Sequence, residues 1–190
     1  IINQGLKKYG GDLAIGAFGI VNRLVFIVVM IVMGLNQGMQ PIAGYNFGAK
    51  LYGRVNKVLR LTIIYATVVT TFGFLVGMLV PDLVVGIFTS DAELTELSVT
   101  GLRITVMFFP IIGFQMVTSN FFQSIGMAGK AIFLSLTRQM LILLPCLLVL
   151  PQFFGVAGVW YSMPVSDLLA SLIALVMLVC QFRKFRTSPL

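Results

Sequence analysis

Five apolar stretches, each long enough to cross a lipid bilayer, constrain the fold of this chain more than any other feature. A transmembrane helix needs about 20 mainly apolar residues. The stretches are 14–39, 59–80, 97–122, 131–150 and 156–182. Because 58% of the 190 residues are hydrophobic and 10% are charged, a soluble domain of this length has too little interior to bury the apolar surface. The sequence therefore predicts an all-α polytopic membrane protein, a helical bundle with five complete spans.

Basic residues concentrate on one side of these spans. They follow the first span, flank the turn between the third and fourth, and end the chain: Lys50, Arg54, Lys57, Arg60, Lys130, Arg138, Arg183, Lys184 and Arg186. On the other side, Lys7 and Lys8 are the basic exceptions. Because cytoplasmic loops of membrane proteins are enriched in Lys and Arg, the sequence predicts a cytoplasmic tail at 183–190. The net charge of +7 then reflects membrane topology, and we expect no nucleic-acid partner.

Residues 1–12 lack the charged start, apolar core and cleavage site of a signal peptide. We interpret them as the end of a truncated preceding transmembrane helix, and 13–187 as the membrane lobe itself. Two small-xxx-small pairs, Gly34–Gly38 and Gly73–Gly77, predict close packing between helices.

Ser90, followed three residues later by Glu93, predicts a capping box that opens the third span. Prolines inside the spans predict kinks, because proline removes a helical hydrogen bond and clashes with the preceding turn. Those prolines are Pro110, Pro145 and Pro164. Kinked helices often line cavities.

The sequence contains no histidine, which excludes His-based catalytic triads, H-E-x-x-H metalloproteases and most zinc sites. It also contains no P-loop and no G-x-S-x-G nucleophile elbow. We therefore predict that the protein is not an enzyme and binds no metal or cofactor. A transporter or a channel is the class that remains.

Asp167 lies about eleven residues into the fifth span, roughly 16 Å from its outer end. An acidic group at the centre of a transmembrane helix costs about 2.5–3.5 kcal/mol, so it must be paired, hydrated or protonated. We predict Asp167 as the candidate for cation or proton coupling. A structural ion pair is the alternative, and Arg23, at a similar depth in the first span, is the predicted partner.

Four amide side chains at or within the spans are candidates for lining a cavity: Asn22, Gln37, Gln115 and Asn120. Hydrogen bonds between helices are the commoner use of such groups. Amides that face a cavity offer neutral polar contacts to a substrate.

One segment, 34–50 (GLNQGMQPIAGYNFGAK), followed by Arg54 and Val55, resembles part of the C-terminal lobe of MATE (multidrug and toxic compound extrusion) transporters. It is similar to the end of that lobe's second helix and the cytoplasmic loop after it. Further segments are similar to the same lobe in the same order: 123–131 (QSIGMAGKA), 135–139 (SLTRQ), 155–160 (GVAGVW) and 164–167 (PVSD). The resemblance covers essentially the whole chain.

The resemblance implies a twelve-helix transporter of two six-helix lobes, of which this chain would supply five complete helices and the tail of another. It implies secondary active multidrug efflux: export of amphipathic or cationic compounds by proton or sodium antiport, with alternating access and no cofactor beyond the ion gradient. Some family members carry a cation-site carboxylate on the third span, but residues 111–115 here contain none. The coupling residue then lies either in the N-terminal lobe or at Asp167, which is the candidate acid in this chain.

The partners implied by the resemblance are drug-like small molecules, the lipid bilayer and the N-terminal lobe of the same chain, in the bacterial plasma (inner) membrane. Two other functions stay open. A flippase for lipid-linked oligosaccharides or polysaccharides shares the family architecture but should place more basic residues in the cavity, to hold phosphates. A non-transporting membrane subunit would give no gradient-dependent flux.

Overall fold

The computed structural model describes residues 2–187, apart from the side chains of Asn3 and of 184–187. The described residues form helices and short turns without a strand, which confirms the all-α fold. The helices are α1 (Ile2–Gly48), α2 (Tyr52–Leu79), α3 (Pro81–Gly86), α4 (Ala92–Val106), α5 (Phe109–Ser124), α6 (Ala128–Leu136), a π-helical segment (Thr137–Leu143), α7 (Leu144–Phe154) and α8 (Val156–Thr187). Ile1 and 188–190, which belong to the predicted terminal segments, lie outside the described residues.

Four of the helical stretches are long and apolar enough to cross a membrane. They are Gln4–Gly48, Tyr52–Leu79, Ala128–Phe154 and Val156–Arg183. Helices α4 and α5 are long and apolar enough only as a pair, bent by 54°, so the described residues contain four spans, or five if this pair is one span. The span predicted at 14–39 is the middle of the longer helix α1, which is broken at Gly11, where φ is +66°. Whether residues 1–12 end a preceding transmembrane helix stays a prediction.

The bend between α4 and α5 lies just before Pro110, which occupies the first turn of α5. Because proline cannot donate a backbone hydrogen bond and its ring clashes with the preceding turn, α4 ends at Val106 and α5 starts again at Phe109. In contrast, Pro145 follows the π-helical segment, in the first turn of α7. A wider π turn is one way for a helix to accommodate a missing donor. Pro164 lies inside α8, which continues through it.

Asp91 caps the start of α4, and its side chain accepts a hydrogen bond from the Leu94 backbone N–H at 2.8 Å. The expectation of a cap at Ser90 is therefore wrong by one residue. The Thr89 hydroxyl accepts the Asp91 N–H at 3.2 Å and holds the turn before the cap. An aspartate is favoured at this position because its negative charge opposes the positive end of the helix dipole.

Glycines bring α2 against its neighbours. A Cβ at Gly73 would lie 2.9 Å from the Val28 side chain in α1, and one at Gly77 would lie 3.0 Å from Val106 in α4. The predicted close packing is therefore present at Gly73–Gly77. At Gly34–Gly38 it is absent from the described structure, since nothing lies within 4 Å of either position.

Two large apolar clusters and a small one of Leu6, Ala14 and Val159 fill the described part of the bundle. The cluster near the end predicted to be cytoplasmic joins α1, α2, α5 and α8 through residues such as Leu59, Phe121 and Leu178. The cluster near the other end surrounds Trp160, which packs against Gly101 in α4 and lies 5.7 Å from the Phe18 ring. Helix α5 contacts α1, α2, α6 and α8.

Candidate functional site

Asp167 forms an ion pair with Arg138 that joins α8 to the π-helical segment. The Arg138 Nε lies 2.6 Å from the Asp167 Oδ1 and donates a hydrogen bond to it. The two partners are unequally buried: the Asp167 side chain is 5% exposed and the Arg138 side chain 34%. A charged pair of this kind satisfies the requirement that an intramembrane carboxylate be compensated.

Both partners lie deep in the bundle. Asp167 is eleven residues after the start of α8, and Arg138 is ten residues after the start of α6 at the opposite end of the bundle. At 1.5 Å per residue, each lies roughly 15 Å from the nearer helix start. The prediction that Arg138 flanks a cytoplasmic turn is wrong: its guanidinium pairs with a buried carboxylate in the middle of the span.

The prediction that Asp167 pairs with Arg23 is wrong, because its partner in the structure is Arg138. Arg23 is at a similar depth but is exposed on the surface of α1. Depth along a span can be counted from sequence, whereas the direction of a side chain around the helix depends on packing. The signal that could have found Arg138 was its distance from Ala128, which is too long for a flanking position.

Three buried serines line α8 around Asp167, and each hydroxyl donates to a carbonyl of its own helix. Ser162 donates to Gly158 O at 2.7 Å, Ser166 to Met163 O at 2.8 Å and Ser171 to Asp167 O at 2.6 Å. These bonds satisfy hydroxyls that would otherwise be unpaired in an apolar interior. The hydroxyl of Thr137, next to Arg138, is buried without a partner among the described residues.

One exposed face of α1, called the polar face below, carries an amide toward each end of the predicted span and apolar side chains between them. Asn22 and Gln37 are exposed on the side of α1 that also carries Phe26, Met30 and Met33. Their spacing of three or four residues, repeated along the helix, places them on one face. Arg23 borders this face.

The other long helices expose a different surface. Between Leu61 and Leu79, the exposed side chains of α2 are aliphatic or aromatic, and those of α8 from Leu169 to Cys180 are apolar as well. Such surfaces suit lipid. Asn22 and Arg23, about 12–14 Å into the predicted span, do not suit lipid, because polar side chains inside a membrane face protein or a water-filled cavity.

The polar surface extends from α1 to α5 and α6. The Gln40 Nε2 donates to the Asn120 Oδ1 at 3.5 Å, and the Asn120 Nδ2 donates to Met116 O at 2.9 Å. Beside Asn120, the hydroxyls of Ser119 and Ser135 are 3.4 Å apart. Both serines line a groove of about 380 Å³ between α5 and α6. Asn120 therefore both ties α1 to α5 and lines a polar groove.

Gln115 lies apart from this surface, because its side chain is buried within the bundle. Its Oε1 has no hydrogen-bond partner among the described residues. Asn36, which sequence reasoning did not single out, is also buried, and both polar atoms of its side chain are unpaired there. Of the four predicted cavity amides, the structure thus exposes Asn22 and Gln37, half-buries Asn120 and encloses Gln115.

Within the described part of the chain, no group of three or more His, Cys, Asp and Glu side chains is placed to hold a metal ion. The chemistry available is therefore that of one ion pair, neutral amides and hydroxyls. Groups of this kind bind and orient a ligand or an ion.

Comparison with known proteins gives consistent matches. The MatE family model matches residues 2–148. The multidrug export protein MepA of Staphylococcus aureus (strain MSSA476) is 29% identical over 175 residues, which cover 92% of this chain and 38% of MepA. MepA of Staphylococcus saprophyticus is 25% identical over the same shares.

Solved structures match over a similar part of their length. The MATE multidrug transporter DinF-BH, solved in complex with a ligand, has a TM-score of 0.83 and 37% identity, covering 96% of this chain and 41% of DinF-BH. An outward-facing MATE family transporter of the MOP superfamily has a TM-score of 0.90 at 18% identity and shows likeness of fold. This chain spans about two fifths of the length of the proteins it matches.

Proposed function

Because this chain belongs to the MATE family, we propose that it forms most of one lobe of a secondary active multidrug efflux transporter. The transporter exports amphipathic or cationic compounds by proton or sodium antiport with alternating access. A second lobe of the same protein completes the substrate path. The names of the relatives support this proposal: MepA is a multidrug export protein, and DinF-BH is a MATE multidrug transporter.

The polar face of α1 is the observation that carries the proposal. Asn22 and Arg23 are exposed about 12–14 Å into the predicted span and Gln37 near its inner end, while α2 and α8 expose apolar side chains. A substrate path between two lobes gives such a face water and ligand instead of lipid. The neighbouring Phe26, Met30 and Met33 add soft and aromatic surface, which suits a site that accepts many lipophilic shapes.

Asp167 is proposed to contribute to coupling through Arg138. In the arrangement described, the guanidinium bonds Oδ1 and its positive charge compensates the carboxylate. A proton or sodium ion that binds Asp167 would cancel the negative charge that holds Arg138 and so weaken the ion pair. The 34% exposure of the Arg138 side chain gives it room to move away.

The experiment is ethidium efflux from cells expressing the complete protein to which these residues belong. Gln37→Leu removes the amide on the polar face, and Ile31→Leu is the matched control on the exposed apolar side of the same helix. Loss of one polar contact should slow gradient-dependent efflux about two- to tenfold in Gln37→Leu, and the control should behave as the unmodified protein.

A protonophore, and separately the removal of sodium, identifies the driving ion. An efflux rate that neither the protonophore nor the removal of sodium changes would contradict antiport. Equal efflux in the two variants would contradict the assignment of the α1 face to the substrate path. If the unmodified protein moves no cationic dye, the flippase becomes the better proposal.

A further inference from the structure

Four basic side chains form an exposed patch at the turn between α1 and α2 and in the first turns of α2. The patch consists of Lys50, Arg54, Lys57 and Arg60, all exposed. In the part of the chain that the structure describes, none of the four has a carboxylate partner, and the acidic residues of the interhelical connections lie at the opposite end of the bundle. Four positive charges within eleven residues therefore repel one another without internal compensation.

The start of α2 adds to this positive charge. Its first turn contains no acidic residue, and no side chain caps its N-terminus. The unpaired N–H groups of a helix start carry a partial positive charge, which basic residues nearby make less favourable. An anion bound at the patch would relieve both effects.

The patch is continuous with an exposed apolar stripe on α2. Arg54 and Lys57 lie on the same face of α2 as the exposed apolar residues above them, since each next member follows after three or four positions. The members of this stripe are Leu61, Ile64, Val68, Phe72, Leu75 and Leu79. Lys57 is about 6 Å below Leu61 along the helix axis. The cations thus lie at one end of the apolar stripe, as the headgroup of a lipid lies at one end of its acyl chains.

We propose that the basic patch binds the phosphate headgroup of an anionic phospholipid, whose acyl chains lie along the stripe of α2. Clusters of four or more basic residues next to a membrane-spanning helix attract anionic lipids. A soluble anion would engage the cations alone, whereas a lipid also covers the apolar stripe. This continuity selects a lipid as the occupant, and the inference does not depend on the transported substrate.

The test uses the complete protein in detergent and measures its thermal unfolding while phosphatidylglycerol is added. Phosphatidylcholine is the neutral lipid, and inorganic phosphate is the soluble anion. The patch variant carries Arg54→Gln and Lys57→Gln. The control carries Lys7→Gln and Lys8→Gln, which removes the same charge from two exposed positions at the other end of the bundle.

Phosphatidylglycerol should stabilise the unmodified protein and the control equally. In the patch variant, the lipid concentration needed for half of this effect should rise on the order of tenfold. If phosphatidylglycerol stabilises the patch variant and the control at the same concentration, the proposal is overturned. If inorganic phosphate stabilises the unmodified protein as much as phosphatidylglycerol does, the patch binds a soluble anion and the lipid proposal is also overturned.

Salt supplies a measurement that needs no variant. The Debye length falls from about 10 Å at 0.1 M to about 3 Å at 1 M salt, so salt should weaken the effect of phosphatidylglycerol on the unmodified protein. Stabilisation that is independent of salt would show that the acyl chains act alone and would contradict a headgroup site.

Discussion

At the scale of single residues, Asp167 and Arg138 form an uneven ion pair. The carboxylate is almost fully buried, whereas a third of the guanidinium side chain is exposed. Removing the arginine therefore leaves a buried charge without a partner. Removing the charge of the aspartate leaves an arginine that can still turn toward a polar surface and donate to the remaining amide oxygen.

The two single substitutions should differ in stability for this reason. Arg138→Gln should lower the free energy of unfolding by on the order of 3 kcal/mol, the cost of an unpaired buried charge. Asp167→Asn should cost about 1 kcal/mol, because its Oδ1 still accepts a hydrogen bond. Chemical unfolding of the purified complete protein measures both. A larger loss in Asp167→Asn would contradict the uneven burial, and the double variant should be more stable than Arg138→Gln.

Sequence reasoning placed Asp167 at mid-depth but assigned it the wrong partner. Residue counting gave Arg23 and Asp167 a similar depth along their spans. Residue counting could not reveal that the Arg23 side chain is exposed on the surface of α1. The direction in which a side chain points around the helix axis depends on which helices pack against it. The cap at Asp91 shows the same limit, since Ser90 and Asp91 are both good caps and the turn decides between them.

At the scale of elements, close contacts between backbones fix how the helices pack. A Cβ at Gly113 in α5 would lie 2.9 Å from the carbonyl of Ala66 in α2 and 2.8 Å from the Thr70 hydroxyl. Backbone atoms cannot move aside as a flexible side chain can. Glycine at this position therefore sets the separation of the two helices at the centre of the bundle.

Gly113→Ala should force α2 and α5 apart and cost about 1–3 kcal/mol of stability, the usual penalty for overpacking. Gly53→Ala is the matched control, because Gly53 is also helical and nothing lies within 4 Å of its Cβ position. The control should be neutral or slightly stabilising, since alanine is the better helix former. Equal unfolding of the two variants in a thermal melt would contradict this contact.

The fold class and the positions of the spans follow from hydropathy, because an apolar run of membrane length has few alternatives. The break between α4 and α5 was predicted at Pro110. The π-helical segment before Pro145 was not, because proline disrupts a helix in several ways and packing selects among them. The small-xxx-small spacing also predicted close packing at Gly34–Gly38, where the described structure has none, because small residues permit close packing without requiring it.

At the scale of the whole molecule, the two ends of the bundle differ in charge. The basic patch and Lys130 lie at one end, where the Lys130 ammonium bonds the buried Gln181 and lies 5.3 Å from the Phe122 ring centroid. The turn before α4, with Asp91 and Glu93, lies at the other end. This asymmetry supports the prediction that the patch end is cytoplasmic.

Cysteine labelling tests this orientation in intact cells. With Cys146 and Cys180 replaced by serine, a cysteine introduced by Thr89→Cys should react with a membrane-impermeant maleimide added outside. Asn56→Cys, at an exposed position of α2 within the basic patch, should react only after the cells are permeabilised. The reverse pattern would place the C-terminus outside and contradict the charge argument.

The π-helical segment also affects how chain length can vary in this fold. Losing one residue from a continuous helix such as α8 rotates everything beyond it by about 100° and turns its buried face outward. A π turn is a local excess of one residue, so a deletion within Thr137–Leu143 could restore ordinary α-helical winding and leave both flanking faces where they are. Within the span that carries Arg138, a sequence that is one residue shorter in this segment can therefore keep the same helix packing.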